Sequence, residues 1–317
     1  MKIVALAGGV GGAKLADGLA HCLTAENLTV IVNTGDDFEH WGLKICPDLD
    51  TVCYTLAGFA NPETGWGRAG ETWQVFENIR LLGGEDWFHL GDKDLATHIE
   101  RTRRLKAGQP LSQVVSDFCR AWGIGPTVLP MTDQPVATIV DTLEFGEMPF
   151  QEYFVHKRCE PTVKGFRFDG VETARLAPGV IEAIHAADAV VFCPSNPWVS
   201  IDPILALTPA PLSRFAGEGM GARAVIAVSP IIGGQTVKGP AAKMFAELGI
   251  EPSALEVAKH YGESISGFVL DTIDAVLAGE VQKLGIRPLV VDTLMKTSDD
   301  RQRLAQDVLN FIERLIA

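Results

Sequence analysis

The sequence predicts an α/β protein with a doubly wound, mostly parallel sheet. Three observations carry that prediction. Short apolar runs of strand length alternate with segments of helical period: Lys2–Ala7, then Lys14–Leu23, then Leu28–Asn33. Together these make a βαβ unit of the length that a right-handed parallel crossover needs. Four of the apolar runs end abruptly in Gly, Ser, Asn or Pro, as strands do at the ligand-binding edge of a Rossmann-like sheet.

Taken in order, the first strand runs into Gly8, Gly9, Gly11 and Gly12, and Lys14 opens the first helix. After the second strand, residues 34–47 read as a loop rich in acids and glycine. Pro47 suits the first turn of the next helix, which runs to about Ala57 and stops at Gly58. Residues 61–70 read as loop. From Glu71 to about Trp122 the period is helical in three pieces, broken at Gly83-Gly84, Gly91 and Gly108-Gln109-Pro110. Strands are expected at 127–131 and 136–143. Residues 150–157 and 164–168 continue as half-buried antiparallel strands. The α/β rhythm resumes with a helix at 178–186, strands at 188–193 and 224–228, a small-residue helix at 239–249, a strand at 288–291 and a last helix capped by Ser298. The expected organisation is one domain over 1–317. Its core lies at about 1–60 and 175–317, with a helical and β insertion at about 61–174. The Pro-, Gly- and Ala-rich stretch 208–222 is expected to be a mobile surface loop.

Composition narrows the function. Hydrophobic residues at 47% and charged residues at 21% describe an ordinary globular chain. No apolar run is long enough to span a bilayer, and the N-terminus lacks the pattern of a signal peptide, so a cytoplasmic protein is expected. Six cysteines lie scattered without a C-x-x-C pair, which points to buried free thiols rather than a zinc cage or disulfides. A net charge of −13 argues against nucleic acid as a partner. A small phosphorylated ligand would need local cations or a metal.

Glycines after a first strand let a backbone approach an anion, and the N–H groups that open the helix point at it. The same glycines also suit a plain βα turn that needs small residues. The junctions Ala7-Gly8-Gly9, Val32-Asn33-Thr34-Gly35, Cys193-Pro194-Ser195-Asn196-Pro197 and Val228-Ser229-Pro230 are expected to meet on one sheet edge and line a nucleotide-sized pocket. Asp36-Asp37 and Asp48-x-Asp50 bracket the loop after the second strand. Carboxylates beside a phosphate pocket call for a divalent cation, and Mg²⁺ held by Asp50 and Asp48 is the expected cofactor. Asp50 is read as spaced to face the glycine turn, and Asp48 divides evenly between ligand and helix cap. Asp92 or Asp94 can cap the helix 94–105, and His98 and Arg101 share its face at i and i+3. His89, Lys93, His98 and Arg101 supply positive charge, while Arg103 and Arg104 read as a solvated face. His156-Lys157-Arg158 and Lys238 with Lys243 are two further basic knots. No nucleophile–base pair and no H-E-x-x-H is present.

The runs GGVGGAK, VNTGDD, PDLDTV, LGDKDLATH, LPMTD, PSNP, SPIIG and KGPAAK, ending with DTLM, occur in collinear order over nearly the whole chain. In these it resembles the 2-phospho-L-lactate transferase (CofD) family. The resemblance implies transfer of a phospho-acid from a guanylyl diphosphate donor to the deazaflavin Fo, with release of GMP, in coenzyme F420 biosynthesis. The acid is lactyl, enolpyruvyl or glyceryl in different members. In the reading from the residues, Gly9, Val10, Gly11, Gly12 and Lys14 are expected to cradle the phosphates, and Ser195, Asn196 and Ser229 to help fix the nucleotide; the resemblance implies that Asp50 and His89 lie against Fo. Asp50 is then the candidate acceptor of the hydroxyl proton, and Asp92, Lys93, Asp94 and His98 are further site candidates. A homodimer suits the family. Two features depart from it: Lys93 where Arg is frequent, and the long 208–222 stretch. A non-catalytic nucleotide-sugar-binding regulator of the gluconeogenesis-factor type is the alternative. A dinucleotide oxidoreductase fits less well, since Asn33-Thr34-Gly35-Asp36 is a poor ribose-binding turn.

Overall fold

The computed structural model describes residues 1–208, 212 and 224–317, so most of the expected 208–222 loop lies outside the described residues. Seven strands form one parallel sheet: β1 (Ile3–Ala7), β2 (Leu28–Val32), β5 (Thr127–Pro130), β9 (Ala189–Phe192), β10 (Ala224–Val228), β13 (Gly267–Asp271) and β14 (Arg287–Val291). Their order is β14-β13-β10-β9-β1-β2-β5, and every neighbouring pair is parallel. The chain leaves β1 toward β2 on one side and returns to β9 on the other. The strand order therefore reverses between β1 and β9. The expected doubly wound sheet is present.

Both faces of the sheet are covered, which is why its central strands β1, β9 and β10 are apolar and buried along their whole length rather than alternating. Ile3, Ala5 and Ala7 face α1 (Gly9–Cys22), α2 (Pro47–Leu56), α5 (Leu111–Ala121) and the C-terminal helix Ser298–Ile316. Val4 and Leu6 face the opposite core, which holds the helices Val180–Ala186, Ala241–Glu247 and Ala254–Tyr261. That core also holds a small antiparallel sheet in the order β7-β6-β8, made by β6 (Ala137–Thr142), β7 (Gly146–Pro149) and β8 (Val163–Asp169).

Several expectations are corrected. Helix α1 starts at Gly9 rather than Lys14, so Gly9 to Gly12 are its first turn and not a loop before it. The 34–47 stretch folds a short hairpin, β3 (Phe38–His40) with β4 (Leu43–Ile45). Residues 150–157 are not a strand: Glu152–His156 is a π-helical turn. Phe150, Tyr153 and Phe154 stand at i, i+3 and i+4, a helical spacing, and two of them stack with ring centroids 5.4 Å apart. The first helix of the 71–122 stretch, α3, is confined to Gln74–Leu81. The expected insertion 61–174 contributes β5 to the central sheet. The last helix is capped by Thr297, one residue before Ser298, in a reciprocal box with Asp300.

Helix α1 lies against the C-terminal helix through Gly18. A Cβ at Gly18 would stand 2.1 Å from the carbonyl oxygen of Arg301. The Arg301 guanidinium meets Asp17 at 3.0 Å beside it. A backbone carbonyl cannot step aside, so Gly18→Ala should destabilise the fold by about 2–3 kcal/mol. Urea denaturation checks this, and the variant that folds should keep its ligand site intact.

Candidate active site

At the carboxyl end of the sheet, where β1 and β9 diverge, a cavity of about 850 Å³ opens. Gly8 to Gly11, Lys14, Pro194 to Asn196, Ser229 and Pro230 line its floor. Three of the four expected junctions thus meet there. The fourth reaches the cavity through Asp36, while Asn33 lies buried behind. The walls come from α2 and α4 (Asp92–Lys106), the loop around Trp66, the run Trp87–His89, the π-helical turn, and the segments 236–241 and 293–295.

The glycine turn is shaped by close approach as much as by an open anion cradle. A Cβ on Gly11 would meet the Pro194 carbonyl oxygen at 2.2 Å, and one on Gly12 the Ser195 Oγ at 2.6 Å. Ser195 Oγ accepts from the Gly8 N–H at 3.2 Å and donates to the Gly8 carbonyl at 2.8 Å, tying the two turns together. Gly9 alone needs glycine for its backbone, with φ +59°. Its N–H donates to Asp48 Oδ1 at 2.7 Å, so the helix opens on a carboxylate. Asp48, rather than Asp50, is the acid that meets the glycine turn.

Asp48 Oδ2 accepts from Asn33 Nδ2 at 2.9 Å. Burial pushes the Asp48 carboxyl up to about 6. Burial, and then the neighbouring Asp48, push Asp36 well above the usual carboxylate range. Asp36 is 5% exposed, and its Oδ1 has no hydrogen-bond partner among the described residues. Two buried acids on one wall, one with an orphaned oxygen, suit a divalent cation. Lys14, Arg158 and Lys238 are the cations that reach the cavity. Lys14 Nζ donates to the Met295 carbonyl at 2.7 Å, and burial lowers its pKa. Lys238 Nζ donates to the Thr64 carbonyl, linking two loops at the mouth.

Asp50 has a different partner. Arg101, 2% exposed, grips both its oxygens: Nη1 donates to Oδ2 at 3.0 Å, and Nη2 donates to Oδ1. The i, i+3 reading of His98 and Arg101 holds, since Arg101 Nη1 lies 3.2 Å from His98 Nδ1. His98 Nε2 stands 3.2 Å from Asp94 Oδ1, which also accepts from the Tyr54 hydroxyl at 2.7 Å. Asp50, Asp94 and His98 bring ligand atoms within 4.8 Å of one another. The space between Asp50 and His98 belongs to Arg101, so a cation there would be repelled.

The other sequence candidates divide. Asp94, His98 and His89 line the cavity, and His89 packs on Phe76 with centroids 4.7 Å apart. Asp92 and Lys93 do not line it. Asp92 accepts from Thr72 Oγ1 and from the N–H groups of Gln74 and Val75, which caps α3 instead of its own helix. Lys93 is exposed and donates to the Ala69 carbonyl at 3.1 Å. Gly91, not Asp92 or Asp94, is the N-cap of α4. Asn196 caps Trp198, and Ser229 Oγ bridges the N–H and carbonyl of Ile231, so both side chains serve the turns that carry them. Lys243 is held by Glu247 and the Pro161 carbonyl, away from the cavity wall. Tyr54, Gln151, Trp66 and Phe154 are wall residues that motif reading missed, because single aromatic and amide side chains leave no spacing signal.

The buried pair gives a test. Arg101→Met strands the Asp50 charge and should cost about 3–5 kcal/mol, and adding Asp50→Asn should recover a large part of that loss. Urea unfolding of the two single variants and the double variant closes the cycle.

With the geometry in place, comparison with known proteins is direct. The family model described as 2-phospho-L-lactate transferase CofD matches residues 3–314. A protein of Streptomyces griseus named phosphoenolpyruvate transferase is 45% identical over 322 residues, covering 100% of both chains. One of Methanosarcina acetivorans named 2-phospho-L-lactate transferase is 39% identical, covering 98% of this chain and 99% of its own. Among solved structures, a UPF0052-family protein of Bacillus halodurans shares the fold, with a TM-score of 0.63 at 14% identity over 97% of this chain and 99% of that one. On a match that runs from the first strand into the last helix, the chain belongs to the CofD family of 2-phospho-L-lactate transferases.

Proposed function

We propose that this enzyme moves a phospho-acid from a guanylyl diphosphate donor onto the terminal ribityl hydroxyl of the deazaflavin Fo, releasing GMP, in coenzyme F420 biosynthesis. One observation carries the reading: a single cavity joins a phosphate-type floor to an aromatic wall. The floor is the glycine turn with Lys14 and the Ser195–Asn196 and Ser229 turns, and it takes the donor. The wall is Trp87, Phe88, Phe150 and Phe154, with His89 at its lip, and it takes the tricyclic acceptor. Relatives named phosphoenolpyruvate transferase, 41% to 45% identical, make the enolpyruvyl donor the first to test. The non-catalytic binder is not favoured, since whole-chain relatives of this identity carry transferase names.

The hydroxyl attacks the phosphorus that bears the acid, and GMP departs with the bridging oxygen. Such a transfer depends on holding the two reactants in line and on neutralising charge. Lys14, Lys238 and Arg158 supply fixed positive charge around the diphosphate. Asp50, clamped by Arg101, and Asp94 face the acceptor half. Asp36 and Asp48 are the residues that would hold Mg²⁺. Asp50, placed in that role by the sequence, has both oxygens engaged and fits it less well. The ion supplies charge neutralisation across the diphosphate when bound. A homodimer is part of this reading, and light scattering checks it.

Three measurements follow. With Fo, Mg²⁺ and each of the enolpyruvyl, lactyl and glyceryl donors, GMP release should accompany a deazaflavin product of the matching mass. No adduct with any donor would overturn the transferase reading. Asp50→Asn should abolish transfer in a protein that still folds, and retained turnover would remove its role. Asp36→Asn relieves a buried like-charge pair. It should raise the metal-free melting temperature by about 2–4 °C while erasing the Mg²⁺-dependent shift of the parent protein.

A further inference from the structure

The reaction needs a group to receive the proton of the attacking hydroxyl, and the cavity offers few free acceptors. Asp50 has both oxygens in the Arg101 fork, so taking a proton there means breaking a buried ion pair. Asp36 and Asp48 belong to the phosphate floor. His98 has no acceptor to spare. An arginine N–H can only donate, so His98 Nδ1 accepts from Arg101 and the ring proton sits on Nε2, facing Asp94 Oδ1 at 3.2 Å. The tautomer of His98 is thus set by the same arginine that holds Asp50.

Asp94 is left with an unused atom. Its Oδ1 accepts from the Tyr54 hydroxyl at 2.7 Å and lies 3.2 Å from His98 Nε2, a close contact rather than a hydrogen bond. Its Oδ2 accepts no hydrogen bond from any described residue, and the side chain is 14% exposed on the cavity wall. The backbone N–H of Asp94 is held by Glu71 Oε1 at 2.9 Å, which fixes the base of the side chain as well. One oxygen is anchored and the other accepts nothing from the described residues on a side chain that lines the cavity, an arrangement that suits a general base.

We propose that Asp94 Oδ2 accepts the proton of the attacking ribityl hydroxyl, with His98 and Tyr54 as its positioning residues. The proposal rests on the transferase reading above. In the step, the O–H bond breaks and its electron pair forms the new O–P bond. The P–O bond to GMP breaks, and GMP leaves with that pair. The proton rests on Asp94 until it passes to solvent. Burial alone would push the Asp94 carboxyl up, but the close approach of His98, the Tyr54 hydrogen bond and the Arg101 charge outweigh it and hold it below the usual range. Asp94 is therefore ionised at neutral pH. A weak base suffices where bonding to the leaving group is largely broken before the proton moves.

Steady-state transfer with Fo, Mg²⁺ and the productive donor tests this on the full chain. Asp94→Asn should lower kcat by about 100-fold or more, with KM for the donor, GDP binding and melting temperature unchanged. In Asp94→Ala, added formate should restore at least about tenfold of the lost rate, a rescue that a purely structural role would not give. Tyr54→Phe, which removes one anchor of Oδ1, should lower kcat about tenfold at constant KM. Asp94→Asn with kcat within threefold of the parent overturns the proposal. So does loss of GDP binding together with activity and no formate rescue in Asp94→Ala. A kcat loss confined to His89→Gln overturns it too and moves the role to His89, which lines the same cavity with its ring packed on Phe76. A parent protein inactive with every donor removes the transferase reading itself.

Discussion

The site depends on how closely two backbones approach one another at the centre of the sheet. The first turn of α1 lies against the Pro194–Asn196 turn so tightly that a single methyl on Gly11 would sit 2.2 Å from a carbonyl oxygen. Ser195 then bonds both the N–H and the carbonyl of Gly8 across that contact. This approach sits at the switch point of a parallel sheet, where the two halves of the winding part and leave a crevice. Every other element of the cavity is placed relative to it. Helix α2 brings Asp48 to the Gly9 N–H, and the C-terminal segment brings the Met295 carbonyl to Lys14.

Charge organises the rest. Four carboxylates (Asp36, Asp48, Asp50 and Asp94) share a cavity for which we propose an anionic donor. Left unpaired they would oppose it, and each is handled differently. Asp48 lies on the positive end of α1, Asp36 keeps an open oxygen, Asp50 is neutralised by a buried arginine, and Asp94 is steadied by the Tyr54 hydroxyl. A buried ion pair gains little stability over an apolar pair of the same size, so the Arg101–Asp50 fork is better understood as a device for orientation. The same fork orients His98, and through it Asp94, which makes three side chains of α4 one mechanical unit with α2.

Much of this was legible from the chain. Period and strand length were enough for the parallel sheet, and the abrupt Gly, Ser and Pro ends of its strands foretold which edge would carry the cavity. The motif runs pointed to the family and to the neighbourhood of Asp48, Asp50, His89, Asp94 and His98. What sequence could not resolve is which acid faces which partner. Asp48 and Asp50 differ by two residues, about 200° around a helix, so one meets the glycine turn and the other turns to α4. Asp92 stands two residues before Asp94, yet caps a different helix because Thr72 and the α3 N-terminus happen to lie beside it. The Phe150–Phe154 turn was misread as a strand because a short apolar-aromatic run satisfies both periods until its packing is known.

The pairing of β1 with β9 also bears on how the chain comes to exist. Ile3 is in register with Ala189, and Gly8 shares its hydrogen bonds with Ser195, 187 residues later. During synthesis β1 and its glycine turn therefore wait, one side unpartnered, until the segment 187 residues further along the chain has left the ribosome. Contacts this distant in sequence form slowly, and their exposed precursors are open to wrong partners. β1 is apolar along its whole length and can pair with β2 at once, which shields one of its edges while the other waits. The centre of the finished molecule is thus made long before it can be completed.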